Sequence, residues 1–264
     1  MICGSRKDIL EMEYGLIGGK LGHSYSKEIH EKLADYTYEL CPLTEEEFHQ
    51  FMKKADFKAI NVTIPYKKMV IPYLKELDDG AKKIGAVNTI VNRDGELFGY
   101  NTDYPGFIYM LKQNSIDVAG KKVIVIGNGG AAQAVKAALK TLGADELVIV
   151  KRTSDGEAIT YEEAYRSHTD AEVIVNTSPV GMYPDVDSSP IDLAPFKKCT
   201  SVVDVIYNPI TTKIVAQARE LGMKGITGLE MLIAQAKYAV EIFLDNELDE
   251  SLIDRIYQEM LQQF

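Results

Sequence analysis

The sequence predicts an α/β fold built on parallel sheets. Along its 264 residues, apolar runs of strand length alternate with segments whose apolar residues recur every three or four positions, as on a helix face. Such alternation is typical of βα units on a parallel sheet. After Gly228 the pattern becomes wholly helical, so the last part of the chain is expected to add helices and no strand.

The N-terminal half contains four predicted strands. We expect them at residues 14–18, 57–62, 86–92 and 97–100, with a tight turn at Asp94-Gly95 joining the last two. Ile29, Leu33 and Tyr36 recur at positions i, i+4 and i+7 and predict one face of a helix after the first strand. The residues between the second strand and Ala81 are expected to be helical.

From Lys121 the pattern indicates a parallel sheet that is buried on both faces. The run 123–126 is continuously apolar and ends at Gly127, and a helix with an apolar face at 135, 138, 139 and 142 follows it. Further strands are predicted at 147–150, 173–176, 202–206 and 224–226, with a helix at 213–221 before the last of them.

Two C-terminal helices are predicted around 232–243 and 252–260, and they are expected to pack on the N-terminal half. The sequence therefore predicts two domains. The first is discontinuous and comprises residues 1–102 and 236–264, and the second comprises residues 103–235. A cleft between two domains is a favoured place for a small ligand, so we expect the ligand there.

Charge and cysteine content exclude several classes of protein. Acids outnumber bases 39 to 29, and the formal net charge of −10 argues against nucleic acid or an anionic membrane as the main partner. Cys3, Cys41 and Cys199 form no C-x-x-C pair, which favours a reducing cytoplasm over a disulfide framework. No secretory leader and no membrane-spanning run are predicted.

A glycine-rich turn predicts dinucleotide binding. Gly127, Asn128, Gly129, Gly130 and Ala131 match the start of G-x-G-x-x-G/A, directly after a buried strand and directly before a helix. The first glycine permits the tight turn, the second admits a pyrophosphate, and the helix offers its free N–H groups to anionic oxygens. We therefore expect the second domain to be Rossmann-like and doubly wound.

The end of the next strand favours NADP over NAD. An NAD-binding domain usually carries Asp or Glu there for the ribose 2′-hydroxyl, whereas this chain carries Lys151, Arg152 and Thr153. An ammonium and a guanidinium suit a 2′-phosphate, which a carboxylate would repel. The alternative is a solvated charge pair at the end of a strand.

Three polar clusters lie in the N-terminal half, and each taken alone fits cap or turn chemistry. They are residues 22–26 with Ser24 and Ser26, residues 61–67 with Thr63 and Lys67, and residues 101–103 with Asp103.

Together the clusters resemble the shikimate dehydrogenase family, from Tyr14 to about Phe243. Its S-x-S pair, N-V-T-x-P-x-K, G-A-V-N-T and G-x-N-T-D motifs correspond to Ser24 with Ser26, 61–67, 85–89 and 99–103. Its G-x-G-G-A, Y-N-P and G-L-x-M-L-x-x-Q motifs correspond to 127–131, 207–209 and 228–235. The chain departs from the family at Lys151, where N-R-T has asparagine, at Asn128, where alanine is usual, and at Tyr104, where glycine is frequent.

The resemblance implies NADPH-dependent, reversible reduction of 3-dehydroshikimate to shikimate in aromatic amino acid biosynthesis. It assigns catalysis to Lys67 and Asp103, an ammonium that can stabilise a developing alkoxide and a carboxylate that holds the ammonium. It implies a substrate site formed by these two residues together with Ser24, Ser26, Thr63, Asn88, Tyr207 and Gln235. On the nicotinamide side it implies Asp79, Val205 and Gly228, although Asp79 fits a helix-surface acid equally well.

Several properties and rival functions stay open on the sequence. The chain is expected to be a monomer or a homodimer, and the spacing of His23, His30, His49 and His168 predicts no metal site. The nearest rival function is a quinate or dual quinate/shikimate dehydrogenase. More distant rivals are a dehydrogenase-like regulatory protein, which would have little reason to keep both Lys67 and Asp103, and a tetrahydrofolate dehydrogenase, which would leave the Ser24/Ser26 pair unexplained.

Overall fold

The computed structural model describes residues 12–22 and 24–263, which separate into two compact units. The first unit comprises the described residues up to Asp103 together with Ile233–Gln263, and the second comprises Tyr104–Leu232. His23 and Cys3, for which the sequence predicted neither a metal nor a disulfide, lie outside the described residues.

The first unit is built around a mixed sheet of six strands among the described residues. Their order in the sheet is β2-β1-β3-β5-β6-β4. Strands β1, β2 and β3 are parallel, β5 runs antiparallel to both β3 and β6, and β4 runs parallel to β6. The strands and the first helices are β1 (Tyr14–Gly18), α1 (Ser26–Leu33), β2 (Glu39–Pro42), α2 (Glu45–Lys54), β3 (Ala59–Val62), β4 (Glu76–Leu77), α3 (Asp79–Ile84), β5 (Thr89–Arg93) and β6 (Glu96–Tyr100).

The second unit has a wholly parallel five-stranded sheet in the order β11-β10-β9-β7-β8. The last four residues of β7 are fully buried, as expected of a strand covered on both faces. Its elements are α4 (Asp103–Gln113), β7 (Lys122–Ile126), α5 (Gly130–Thr141), β8 (Glu146–Val150), α6 (Tyr161–Ser167), β9 (Val173–Asn176), β10 (Ser201–Asp204), α7 (Lys213–Glu220) and β11 (Lys224–Ile226).

The chain ends in two long helices, α8 (Leu229–Leu244) and α9 (Ser251–Leu261). In the first unit, Ala239 and Phe243 of α8 pack in one apolar cluster with Leu16 of β1, and α9 packs against α1. No helix within the described ranges is long and apolar enough to cross a bilayer.

Local sequence signals explain where several elements begin and end. Helix α2 starts at a capping box, in which the Thr44 hydroxyl accepts a hydrogen bond from the Glu47 N–H and the Glu47 side chain accepts one from the Thr44 N–H. After β3, Tyr66 stacks on Phe48 of α2 with ring centroids 4.3 Å apart and donates a hydrogen bond to the Leu43 carbonyl. This packing anchors the 63–67 segment to the core.

The fold-class prediction is confirmed, whereas some predicted elements are wrong. The stretch between β3 and Ala81 is not one helical region: it forms turns, a short 3-10 helix at Ile71–Tyr73, β4 and the start of α3. Pro65 and Pro72 lack the N–H that a continuous helix requires. Helix α1 ends at Leu33, so Tyr36 lies beyond it, and the edge strand β2 was not predicted. Strand β10 ends at Asp204, two residues earlier than expected.

Candidate active site

The direction of three strands brings the polar clusters of the first unit to one edge of its sheet. Because β5 is antiparallel to both β3 and β6, the carboxyl ends of β3 and β6 point the same way, and Asn61, Thr89 and Tyr100 lie in one row across the sheet. The segments that follow β3 and β6, and the residues that precede β5, therefore meet at this edge. We call it the active-site edge.

Lys67 and Asp103 form a buried ion pair at the active-site edge. The Lys67 ammonium nitrogen lies 2.5 Å from the Asp103 Oδ2 atom, and the two side chains are only 12% and 9% exposed. Lys67 belongs to the segment after β3, and Asp103 begins α4 just beyond β6. Removing two charges from water is costly, so such a pair is stable only where further hydrogen bonds satisfy the atoms that the pair itself leaves free.

Asn88 supplies the second hydrogen bond to the Asp103 carboxylate. Its amide nitrogen donates to Asp103 Oδ1 at 3.0 Å, and its amide oxygen accepts from the backbone N–H of Thr102 at 2.7 Å. The Gln235 side-chain oxygen on α8 lies 3.5 Å from the amide nitrogen of Asn88 and 3.5 Å from the Thr102 hydroxyl. Four of the predicted site residues, namely Lys67, Asp103, Asn88 and Gln235, are thus brought together.

The serine pair and Thr63 lie where β1 and β3 end. The Ser24 hydroxyl donates to the Ser26 hydroxyl at 3.0 Å, and Ser26 is the first residue of α1. The Gly19 N–H donates to the Ile64 carbonyl, which joins the loop before the serine pair to the segment that carries Thr63. Because β1 and β3 are parallel, both segments emerge at the same edge of the sheet as Lys67.

Asp79 lies on the surface of the first unit. It begins α3, its side chain is 92% exposed, and its carboxylate is 3.7 Å from the Lys82 ammonium. Its neighbour Asp78 caps this helix by accepting from the N–H groups of Gly80 and Ala81. The position of Asp79 agrees with the helix-surface alternative and gives no independent support to a nicotinamide contact.

In the second unit, the glycine turn connects a buried strand to the N-terminus of a helix, as dinucleotide-binding turns do. Gly127 follows β7 with φ +99°, and an added Cβ would lie 2.8 Å from the Thr177 hydroxyl oxygen, so only glycine fits without displacement. Gly129 is the N-cap of the 12-residue helix α5, and the first turn of that helix contains no acidic residue. Its N-terminal N–H groups are therefore suited to a dinucleotide phosphate.

The loop after β8 carries two acids, Asp155 and Glu157, that sequence reasoning missed. Lys151, directly after β8, is paired with Asp155, whereas Arg152 is exposed and makes no ion pair with any described residue. Lys136 of α5 donates to Glu157 at 2.7 Å and to the Asn128 side-chain oxygen at 2.9 Å. These pairs hold the pKa of Asp155 and that of Glu157 below their usual values, so both carboxylates are ionised at neutral pH.

The two basic and two acidic residues of 151–157 are visible in the sequence, but the contact of Glu157 with Asn128 is not. The Asn128 amide nitrogen donates to Glu157 at 3.1 Å, so the residue that replaces the family's alanine ties the glycine turn to the loop after β8. Thr153 is exposed in that loop.

Val205 and Gly228 are in contact within the second unit. An added Cβ on Gly228 would lie 2.2 Å from the Val205 carbonyl oxygen, and the Gly228 N–H donates to the Ile206 carbonyl at 2.9 Å. Tyr207 follows directly after Ile206. The three residues assigned by resemblance thus lie close together along the chain segments after β10 and β11.

A buried aspartate supports the segment that carries Val205 and Tyr207. The Asp204 carboxylate accepts hydrogen bonds from the Asn176 amide, the Ile206 N–H and the Thr212 hydroxyl. Despite these donors, burial raises the pKa of Asp204 to about 6.

The fold and the glycine turn define the class of protein: a dinucleotide-dependent oxidoreductase. The family profile of the shikimate dehydrogenase substrate binding domain matches residues 16–90. The shikimate dehydrogenase (NADP(+)) of Clostridium beijerinckii is 39% identical over 261 residues, covering 92% of this chain and 96% of that protein.

Solved structures agree with this similarity. Shikimate dehydrogenase 1 from Peptoclostridium difficile superimposes with a TM-score of 0.87 at 35% identity, covering 95% of this chain and 97% of that one. The Thermus thermophilus shikimate 5-dehydrogenase, solved in complex with NADP(H) and shikimate, gives a TM-score of 0.83 at 28% identity, covering 94% of this chain and 99% of that one. The chain belongs to the shikimate dehydrogenase family.

The raised pKa of Asp204 predicts a specific pH dependence of stability. Between about pH 4 and pH 6 the folded carboxyl holds a proton that the unfolded carboxyl has released, so stability falls as pH rises through this window. A rise from 3.8 to about 6 corresponds to at most about 3 kcal/mol. Relative to Asp204→Asn, we expect the parent to lose stability from pH 4 to pH 6 in denaturant titrations. A difference that stays constant over this range would contradict the assignment.

Proposed function

We propose that this protein catalyses the reversible, NADP(H)-linked interconversion of 3-dehydroshikimate and shikimate, a step of aromatic amino acid biosynthesis. The observation that carries the proposal is the buried Lys67–Asp103 pair at the edge of the sheet where the segment that leads to the Ser24/Ser26 pair also begins. Membership in the family supplies the identity of the substrate, because the geometry alone is compatible with other small hydroxy acids.

The Lys67 ammonium is the group proposed to stabilise and protonate the reacting oxygen. During reduction, the carbonyl oxygen gains negative charge as its carbon accepts a hydride, and an ammonium within hydrogen-bond distance stabilises that charge and then transfers a proton to it. During oxidation the proton moves in the opposite direction. Asp103 holds the ammonium through Oδ2, and Asn88 holds Asp103 through Oδ1, so the donor is fixed before substrate binds.

Hydroxyl and amide groups form the remainder of the proposed substrate site. We assign the substrate carboxylate to Ser24 and Ser26, whose hydroxyls can both donate to an anion once their mutual hydrogen bond opens. Thr63, Asn88, Tyr207 and Gln235 are proposed to surround the ring and its hydroxyls. A site built from such polar groups discriminates strongly against a substrate that leaves one of them unpaired.

NADPH supplies the hydride when bound. The pyrophosphate is assigned to the glycine turn, and the adenosine 2′-phosphate to Lys151, Arg152 and Thr153. Val205 and Gly228 are assigned to the nicotinamide. Asp79 is assigned to the nicotinamide by resemblance alone. Lys151 and Arg152 are suited to the 2′-phosphate because one carries a point charge and the other a planar fork of donors.

Small molecules are the proposed partners, and the chain is proposed to act as a monomer or a homodimer. Cys41 and Cys199 are buried and not disulfide-bonded, which supports the proposed cytoplasmic location.

The function is tested by following the absorbance of the reduced cofactor while the enzyme oxidises shikimate or, in parallel, quinate, with NADP⁺ (giving NADPH) and NAD⁺ (giving NADH) as alternative cofactors. We expect the largest kcat/KM for shikimate with NADP⁺. No turnover of shikimate with either cofactor would contradict the proposal, and a larger kcat/KM for quinate would replace it with the quinate dehydrogenase alternative.

Lys67→Ala is expected to reduce kcat about a hundredfold or more, because the general acid is lost while the rest of the site is kept. Lys68→Ala is the matched control, since Lys68 is the exposed neighbour of Lys67, and it should stay within twofold of the parent. NADP⁺ binding, measured by calorimetry, should be unchanged in both variants. Near-normal turnover by Lys67→Ala would refute the role.

Asp155→Asn and Glu157→Gln are each expected to tighten NADP⁺ binding about fivefold at low salt, while NAD⁺ binding changes less than twofold. Asp155→Asn removes the anion that competes with the 2′-phosphate for Lys151, and Glu157→Gln removes a second anion from the same loop. Calorimetric Kd values for both cofactors provide the measurement. Asp145→Asn, which removes an exposed acid just before β8 and hence at the opposite end of that strand, is the control. An unchanged ratio of the two Kd values in both variants would show that the acids do not limit cofactor selectivity.

A further inference from the structure

Beneath the active-site edge, a continuous chain of buried hydrogen bonds connects the ion pair to a tyrosine that no motif contains. The Tyr38 hydroxyl lies 2.6 Å from the Asn61 side-chain oxygen, and the Asn61 amide nitrogen lies 3.1 Å from the Thr89 hydroxyl. The Thr89 hydroxyl lies 3.0 Å from the Asn88 side-chain oxygen, and the Asn88 amide nitrogen reaches Asp103. Each of these five residues is at most 7% exposed.

Backbone groups fix the direction of this chain. The Asn61 amide nitrogen also faces the Asn88 backbone carbonyl, which can only accept, so the Asn61 oxygen must face Tyr38 and accept from its hydroxyl. The Asn88 oxygen faces the Thr102 backbone N–H, which can only donate, so the Asn88 amide nitrogen must face the Asp103 carboxylate. If either side-chain amide were rotated by 180°, an acceptor would face an acceptor or a donor would face a donor, and a hydrogen bond would be lost.

Tyr38 is held rigidly at the far end. Its ring stacks on His30 at 3.9 Å between centroids, and burial lowers the pKa of His30 to about 3, so the imidazole stays neutral. Burial also raises the pKa of Tyr38, so its hydroxyl remains protonated and can donate. From α1, the Lys27 ammonium donates to the backbone carbonyl of Tyr38, and the Glu31 carboxylate accepts from the backbone N–H of Tyr38.

We propose that Tyr38 is a positioning residue for catalysis: its hydroxyl is the terminal donor of a Tyr38–Asn61–Thr89–Asn88–Asp103 chain that fixes the carboxylate holding Lys67. This inference rests on the proposed function, because it concerns the same reacting pair. Loss of the hydroxyl leaves the Asn61 oxygen buried without that donor, and Asn61 cannot compensate by rotating its amide.

The test compares Tyr38→Phe with Tyr36→Phe in the full-length enzyme. Tyr36 provides the control, since its partly buried hydroxyl bonds His30 and lies outside the chain that leads to Asp103. We expect Tyr38→Phe to lower kcat about five- to tenfold, the effect of one neutral hydrogen bond, with KM for shikimate within twofold. Tyr36→Phe should lower Tm to a similar extent while kcat stays within twofold of the parent.

A double-mutant cycle distinguishes action through Asp103 from a general loss of packing. In an Asp103→Asn background, Tyr38→Phe should change the residual kcat less than twofold, because the group it positions is already altered. An equal loss of kcat in both backgrounds, or a Tyr38→Phe kcat within twofold of the parent, would overturn the proposal. Failure of the parent itself to oxidise shikimate would instead refute the proposed function, so the two failures are distinguishable.

Discussion

The constraint on which the first unit depends is that an ammonium and a carboxylate are kept almost dry at one edge of a sheet. Removing two charges from water is unfavourable unless their geometry is good and every remaining polar atom has a partner. The direction of the strands brings the two charged side chains together, because the carboxyl ends of β3 and β6 and the start of β5 meet at this edge. Asn88 satisfies the second oxygen of the carboxylate, because its amide nitrogen binds the oxygen that Lys67 does not.

The same constraint explains why so many polar side chains lie in the interior of the first unit. Asn61, Asn88, Thr89 and Thr102 are all buried next to strand ends. Each of these side chains forms a hydrogen bond with another member of the set. A buried network of this kind is stabilising only when its polar atoms all have partners. A complete network specifies a single arrangement of Asp103, so the groups that stabilise the fold also orient the carboxylate that pairs with Lys67.

The second unit meets a different electrostatic requirement. The protein has a net charge of −10 and must nevertheless hold a dinucleotide. The backbone N–H groups at the start of α5, which follow the glycine turn, can bind an anionic phosphate without any net positive charge. Beside the glycine turn and in the loop after β8, Lys136 pairs with Glu157 and Lys151 pairs with Asp155, so these two positive charges are partly neutralised within the protein.

Much of this organisation could be predicted from the sequence, and the parts that could not have a common cause. The glycine turn and the ends of β3 and β6 are local patterns, so periodicity and motif spacing located them. Tyr38 and Glu157 act through contacts with residues 23 and 29 positions away, which no local pattern encodes. The stretch after β3 was predicted wrongly because its apolar residues suggested a helix that Pro65 and Pro72 do not permit.

The most direct test of the central claim is a crystal structure of the protein with shikimate and NADP⁺ bound. The proposed mechanism predicts that the shikimate hydroxyl to be oxidised lies about 2.6–3.2 Å from the Lys67 ammonium, with the substrate carboxylate against Ser24 and Ser26. Shikimate bound with that hydroxyl beyond about 4 Å from both Lys67 and Asp103 would contradict it.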